Sequence, residues 1–370
     1  MADHLKKYDV VLTTVGPVFI GSGREINKKE YILFANKIGV LDIRAFMLFL
    51  RKKGLTNRFE DFVLNDYRSD LKQWLQNNRL STNDIAPFLR YTLENGDTVL
   101  ERRTKAQIME FIKDPYGLPY VPGSSIKGML RTILLSKLIM DGGISDSAIR
   151  GFKRGISNPN RLKRNQYMGR EVKSLETDAY HTLARNPERI EDAVNDVLSG
   201  LIISDSKPLS MDAIILCQKV ERHKNGEEKR LNLLRECIRP GEKIAFTITI
   251  DEKICPFTMD DIKDAVQQFY ATYCDCFLDK FKGVGRGRDN TVYLGGGAGF
   301  VSKTVVYSML GEEDGLDATV AIYRNTLNSK IFNDHKHNKD RQLGVSPHII
   351  KMTHYEGQSL QMGECLFEIC

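Results

Sequence analysis

The stretch richest in possible chemistry is Pro122-Gly123-Ser124-Ser125-Ile126-Lys127-Gly128-Met129-Leu130-Arg131. A breaker-rich run precedes it and an apolar run follows, which predicts a helix capped by Ser124 or Ser125 and reaching about residue 140. Ser124, Lys127 and Arg131 are spaced three and four apart and share one face. Unsatisfied N–H groups at a helix start, with cations one turn on, suit a phosphate or a sugar edge. The competing reading is an ordinary capped helix with a solvated basic face. The order is not that of a Walker A loop.

A second candidate is the glycine-rich region Gly283-Val284-Gly285-Arg286-Gly287-Arg288, followed by Gly295-Gly296-Gly297-Ala298-Gly299-Phe300. Arg286 and Arg288 alternate with glycines, so guanidinium groups and bare backbone N–H groups can face one anion, such as a ribose-phosphate chain. The alternative is a solvated hairpin loop. Gly21-Ser22-Gly23-Arg24 is a shorter instance of the same pattern. His335-x-His337, His348 and His354, near Asp334, Asp340 and Glu356, have donor types suited to a metal. Asn, Lys and Arg crowd them, and the reading preferred is a solvated loop with no metal. His4 and His181 are candidate general bases for RNA cleavage. Cys274-x-Cys276 reads as helix packing.

The elements that must position these residues follow from period and punctuation. Residues 8–15 read as a strand stopped by Gly16-Pro17; 31–34 and 38–41 form a hairpin around Asn36-Lys37; Asp42 caps a helix over 43–50. From 59 to about 112 the apolar spacing is helical, which suggests an insertion spanning about 43–113. Residues 201–204, 211–220, 231–238 and 243–250 are strand-like, 259–279 is an amphipathic helix, and 301–309, 349–353 and 364–369 again read as strand. The fold class is therefore α+β. A division into 1–200 and 201–370 is expected, with a basic loop at 150–173 in the first part and the glycine-rich loop at 283–299 in the second.

Composition bounds what this machinery can serve. The 370 residues are 41% hydrophobic and 28% charged, enough for a sizeable core and a soluble surface, so a disordered tail is excluded. The net charge is only +6, but residues 150–173 alone carry eight basic residues and one acidic, so the rest is close to neutral. That block includes Arg161, Lys163 and Arg164, and its assignment to RNA rests on charge alone. No apolar window is long enough to span a bilayer, no signal-peptide core starts the chain, and the seven cysteines form no C-x-x-C pair. A cytoplasmic protein with reduced thiols is expected.

Taken in order, five blocks resemble the RAMP proteins of type III CRISPR systems. They are Gly16-Pro17 with Gly21-Ser22-Gly23; Tyr120-Val121-Pro122-Gly123-Ser124-Ser125-Ile126-Lys127-Gly128 with Arg131; Ile203-Ser204-Asp205-Ser206; Leu294-Gly295-Gly296-Gly297-Ala298-Gly299-Phe300; and Met362-Gly363. The order is most similar to the fifth-subunit family of the type III-A Csm effector complex. The resemblance implies a ferredoxin-like, RRM-related fold, with two such units and a helical insertion in the N-terminal half. It implies no enzyme activity and no cofactor, but a subunit that binds and caps the 3′ end of the guide RNA, supports its maturation, contacts the backbone and small subunits, and attracts host nucleases. On that basis Gly123, Ser124, Ser125, Lys127 and Arg131 hold backbone phosphates. Gly285, Arg286, Gly287, Arg288, Gly295, Gly296, Gly297 and Gly299 form a second wall. The related backbone subunits cut target RNA with an Asp between the first glycine loop and the Pro-Gly-Ser-Ser block; here Asp42, Asp61 and Asp66 in that interval read as structural. Two other expectations stay open: a metal-independent endoribonuclease that processes precursor guide RNA, and a scaffold whose helical insertion carries the function.

Overall fold

The computed structural model describes residues 3–97, 99, 107–157 and 167–370. In chain order the strands are β1 (Leu5–Thr14), β2 (Gly21–Ile26), β3 (Tyr31–Leu33), β4 (Lys37–Leu41), β5 (Leu89–Asn95), β6 (Ile108–Phe111), β7 (Leu201–Ile203), β8 (Ile214–His223), β9 (Glu228–Ile238), β10 (Lys243–Asp251), β11 (Thr291–Tyr293), β12 (Ile349–Tyr355), β13 (Gln358–Gln361) and β14 (Glu364–Ile369). The helices are α1 (Ile43–Lys53), α2 (Thr56–Asn65), α3 (Leu71–Asn77), α4 (Thr82–Ile85), α5 (Gly123–Met140), α6 (Asp146–Ser157), α7 (Gly169–Tyr180), α8 (Met259–Cys276), α9 (Val306–Thr326), α10 (Ser329–Asp334) and α11 (Asp340–Leu343).

The first sheet has the order β11-β14-β1-β10-β7, with every pair antiparallel. Its period-2 pattern is plain in β10, where Ile244, Phe246, Ile248 and Ile250 are buried and their neighbours are not. Followed along the chain, β1-α5-β7-β10-α8-β14 is a βαββαβ unit whose strands lie in the spatial order fourth, first, third, second. That is the ferredoxin-like arrangement, and β11 extends it. Helix α5 buries Ile126, Leu130, Ile133 and Leu134 at helical spacing, and α8 buries Ile262, Val266 and Phe269. Thr258 and Asp261 close a capping box that starts α8. Each fully buried aliphatic side chain here contributes about 1.5–3 kcal/mol.

The second sheet runs β2-β6-β9-β8-β5-β4-β3, with β12 and β13 paired on beside β8. Both sheets draw strands from each side of residue 200, and that position falls inside the ferredoxin-like unit, between α7 and β7. The 43–113 insertion is only partly helical, because β5 and β6 lie within it as members of the second sheet. Its helices α1–α4 have their own core, in which Phe59 makes edge contacts with Phe46 at 5.3 Å and Trp74 at 5.1 Å.

Two further expectations are corrected. Residues 150–173 are not one loop: α6 ends at Ser157 and α7 begins at Gly169, while Arg161, Lys163 and Arg164 lie outside the described residues. The β-branched run after residue 300 is not a strand, since Val306 opens α9, bent at Gly311, where φ is +71°. Burial of Val306 and Tyr307 against the core overrides their local preference for strand.

Candidate nucleic-acid interface

The Pro-Gly-Ser-Ser block begins a helix as expected, but its charges are spent inside the fold. Pro122 is the N-cap and no side chain caps the helix, so neither serine does. Gly123 N–H donates to the Asp205 carboxylate at 2.8 Å. A Cβ on Gly123 would sit 2.3 Å from the Ile203 carbonyl oxygen, and Val121 N–H bonds Ser206 Oγ. The second and third sequence blocks are thus packed on each other, and a carboxylate already holds the helix N-terminus. Lys127 Nζ donates to Leu198 O at 2.6 Å, with burial lowering its pKa. Arg131 is held by Asp196 at 2.6 Å and Glu176 at 3.2 Å, over the Tyr180 ring. Burial works against its charge, but the Asp196 hydrogen bond and the two carboxylates outweigh it and raise its pKa. In the chain alone each of these two cations therefore has an internal partner. Ser124 remains exposed and Ser125 half-buried.

The first, fourth and fifth blocks converge elsewhere. Leu294 N–H bonds Gly363 O at 2.8 Å, Gly363 N–H bonds Pro17 O at 2.8 Å, and Gly296 N–H bonds Phe19 O at 2.6 Å. Gly295, Gly297 and Gly299 have φ of +78°, +98° and +100°. At Gly295 any Cβ would also lie 2.2 Å from Phe19 O, so both conformation and space demand glycine. The loop leaves Gly295, Gly296, Gly297 and Gly299 partly open to solvent.

Arg235 of β9 lies against this loop and was not singled out by sequence reasoning. Its guanidinium is 5.1 Å from the Phe19 ring, and a Cβ on Gly297 would approach Nη1 to 2.5 Å. Nε and Nη1 are buried with no hydrogen-bond partner, and desolvation lowers its pKa. Lys303, exposed just after the loop, has its pKa lowered by desolvation and then by the Arg235 charge. Among the described residues neither cation has a carboxylate partner. The available sequence signal was a lone arginine between buried Leu234 and Glu236 in a strand, and a lysine following the glycine run. Neither stands out without the sheet register that unites them.

That register also brings in the Gly21-Ser22-Gly23-Arg24 strand. Glu25 pairs with Met109, which pairs with Arg235, so β2 lies two strands from β9, about 10 Å across the sheet. Arg24 is 78% exposed, with Glu110 3.7 Å away, and Gly23 has φ of +81°. The opposite face of β9 is neutralised: Glu236 is bonded by Tyr91, Phe111 N–H and Lys113. The sheet thus separates a face on which Glu110 and Glu236 meet Arg24 and Lys113 from the face that carries Arg235.

The Gly285–Arg288 segment is exposed, but its two arginines differ. Arg286 is clamped by Asp275 and Asp279, whereas Arg288 has no ion pair among the described residues. Gly287 N–H donates to Tyr270 Oη, and Glu364 lies behind it. Burial raises the Glu364 carboxyl to about 7. Asp42, Asp61 and Asp66 are in local hydrogen bonds. His181 Nδ1 lies 2.9 Å from Ile190 O and its Nε2 lies 3.9 Å from Asp196. His4 Nε2 lies 3.9 Å from Asp251. The solvated-loop reading of the C-terminal histidines is overturned for His337, Asp340 and His348, all of which are buried.

The RAMP superfamily profile matches residues 11–333. Over its whole length the chain is 29% identical to the CRISPR system Cms protein Csm5 of Mycobacterium tuberculosis, covering 99% of that relative. It is 27% identical to the protein of the same name from Streptococcus thermophilus, with 82% of each chain covered. A chain in a cryo-EM structure of a Csm-crRNA-target RNA ternary complex is similar in fold at TM-score 0.64 and 20% identity, covering 98% of this chain and 100% of that one. The crystal structure of T. onnurineus Csm5 gives TM-score 0.56 at 17% identity, covering 96% and 99%. No helix among the described residues is long and apolar enough to cross a membrane. Profile, chain order and strand order agree, and this chain belongs to the RAMP superfamily.

Proposed function

We propose that this chain is the non-catalytic, guide-RNA-holding subunit of a cytoplasmic type III-A Csm effector complex. It caps the 3′ end of the guide, supports guide maturation and assembly, and docks on the backbone and small subunits, with host nucleases as further partners. The observation that carries the RNA-binding part is the desolvated, unpaired Arg235 guanidinium under the glycine loop, with unpaired Lys303 beside it. A protein interior leaves such a charge without a carboxylate only at a cost, and a phosphodiester supplies what is missing. Glycines at 295–299 let a sugar-phosphate chain approach the backbone beside these two cations. Recognition is then of phosphate and not of base sequence. The curated relatives named Csm5, matched over 99% and 82% of their lengths, support the subunit assignment.

The test is guide-RNA binding measured against salt. Each lost phosphate contact on single-stranded RNA lowers the log–log slope by ~0.7, so the Arg235→Gln, Lys303→Gln pair should lower it by about 1.4. An unchanged slope would remove this interface. Metal-independent cleavage of precursor guide RNA that disappears in His4→Ala or His181→Ala would replace the non-catalytic reading with the endoribonuclease one.

A further inference from the structure

Five of the seven histidines, His223, His335, His337, His348 and His354, are gathered by the β8–β12 strand pair and the segment around α10 and α11. Three of the residues form a compact centre. Asp340 is wholly buried; its Oδ1 is 2.5 Å from His348 Nδ1, and its Oδ2 is 3.1 Å from His337 Nδ1 and 2.7 Å from Ser346 Oγ. The three prospective ligand atoms lie within 4.8 Å of one another, and both imidazoles are 4% exposed. No lysine or arginine among the described residues pairs with this carboxylate.

We infer that His337, Asp340 and His348 form a binding site for a borderline transition-metal ion, with Zn²⁺ the best match. A carboxylate removed from water needs a positive partner, and its described neighbours are two imidazoles and a hydroxyl. Two imidazole nitrogens with one carboxylate oxygen favour zinc-type ions and disfavour Mg²⁺ and Ca²⁺, which take oxygen ligands. Tetrahedral bonds of ~2.1 Å place ligand atoms about 3.4 Å apart, inside the 2.5–4.8 Å spread seen here. Small rotations of Asp340 and His348 therefore suffice to admit an ion. Ser346 orients the carboxylate, and Tyr323, 4.6 Å from the His337 ring, fixes that imidazole from the other side. His337 also lines a cavity of about 200 Å³ with Lys219, Glu221, His335 and Lys351. Such an ion ties α11 to the residue that leads into β12, which pairs with β8.

The experiment equilibrates the purified full chain with Zn²⁺, dialyses it and measures bound metal by mass spectrometry, then repeats the loading with Co²⁺ and records the visible spectrum. One equivalent and intense tetrahedral Co²⁺ bands are expected. His348→Gln and Asp340→Asn should weaken binding at least about a hundredfold, while His354→Gln leaves it unchanged. No retained metal in the wild-type chain, together with only the weak octahedral Co²⁺ spectrum, would overturn the site and leave a network closed by imidazole protons. Binding that persists in both ligand variants would place the ion on other histidines and overturn it equally. Because the wild-type spectrum decides the first outcome, the test does not depend on the variants folding.

Discussion

Replacing Arg235 with methionine should make the free protein more stable and its RNA complex weaker. The stabilising half comes from two buried guanidinium nitrogens without partners, Nε and Nη1. Each unsatisfied buried donor costs about 1–3 kcal/mol, and the cation–π contact with Phe19 at 5.1 Å returns about 0.5–2 kcal/mol. Methionine keeps most of the apolar stem packing and removes both donors, for a net gain of about 1 kcal/mol at the conservative end of these ranges. In a chain of this size, that is about 1–2 °C in melting temperature. The binding half follows from the lost phosphate contact, a fall of ~0.7 in salt slope. Thermal melts with and without guide RNA read both at once. Methionine should raise the midpoint of the free chain and shrink the upward shift that RNA gives by mass action. A variant that melts several degrees lower alone, yet gains as much from RNA as the wild type, would show that Arg235 is a structural residue.

Three smaller tests probe the surroundings. Burial raises Glu364 from 4.5 to about 7, so its contribution is fully present below about pH 4.5 and is lost as pH rises through 7, up to about 3 kcal/mol; Glu364→Gln should flatten that part of the urea-stability profile, and an unaltered profile would rule out Glu364 as its source. Gly295→Ala must accommodate a Cβ 2.2 Å from Phe19 O at positive φ, so it should cost at least about 2 kcal/mol in urea denaturation and weaken RNA binding through the displaced loop; a neutral result would show that the loop does not need its present path. Asp205→Ala should cost about 1 kcal/mol by freeing the first N–H of α5 while guide affinity stays level; a loss of RNA affinity without loss of stability would return that helix start to the interface.

Much of the ferredoxin-like unit was legible because period and punctuation are local. Residues 243–250 alternate as a half-buried strand does, and Thr258 with Asp261 marks the start of α8 before any fold is known. Local patterns failed where tertiary contacts decide. Val305, Val306 and Tyr307 look like a strand but are held near the start of a helix by burial. Strands β5 and β6 disappeared into a helical reading because none of their pairing partners, β4 and β8 for the one and β2 and β9 for the other, is adjacent in sequence. The site followed the same division. Glycine at 295, 297 and 299 announced unusual backbone, whereas whether a cation is free or paired depends on carboxylates distant in sequence. Glu176 and Asp196 take up Arg131, and nothing in the Pro-Gly-Ser-Ser block announces them.

The distribution of paired and unpaired cations gives the strongest physical argument for where RNA lies. A glycine loop has almost no side chains with which to attract a polyanion, so its affinity must be supplied by neighbours. The fold spends Lys127 on a backbone carbonyl, Arg131 on two carboxylates, and Arg286 on two more. Beside the 295–299 loop it places Arg235 and Lys303 without any carboxylate, although the Arg235 charge raises the cost of charging Lys303. Folding alone would favour pairing or removing Arg235, as it pairs the neighbouring Glu236 with Lys113. An arrangement that leaves the free chain less stable than it could be is expected where a ligand provides the missing charge. The same reasoning makes the electrostatic part of RNA binding depend on two residues near the loop more than on the total of +6. Neutralising an equal number of exposed lysines on α1, such as Lys52 and Lys53, should therefore leave the salt slope unchanged.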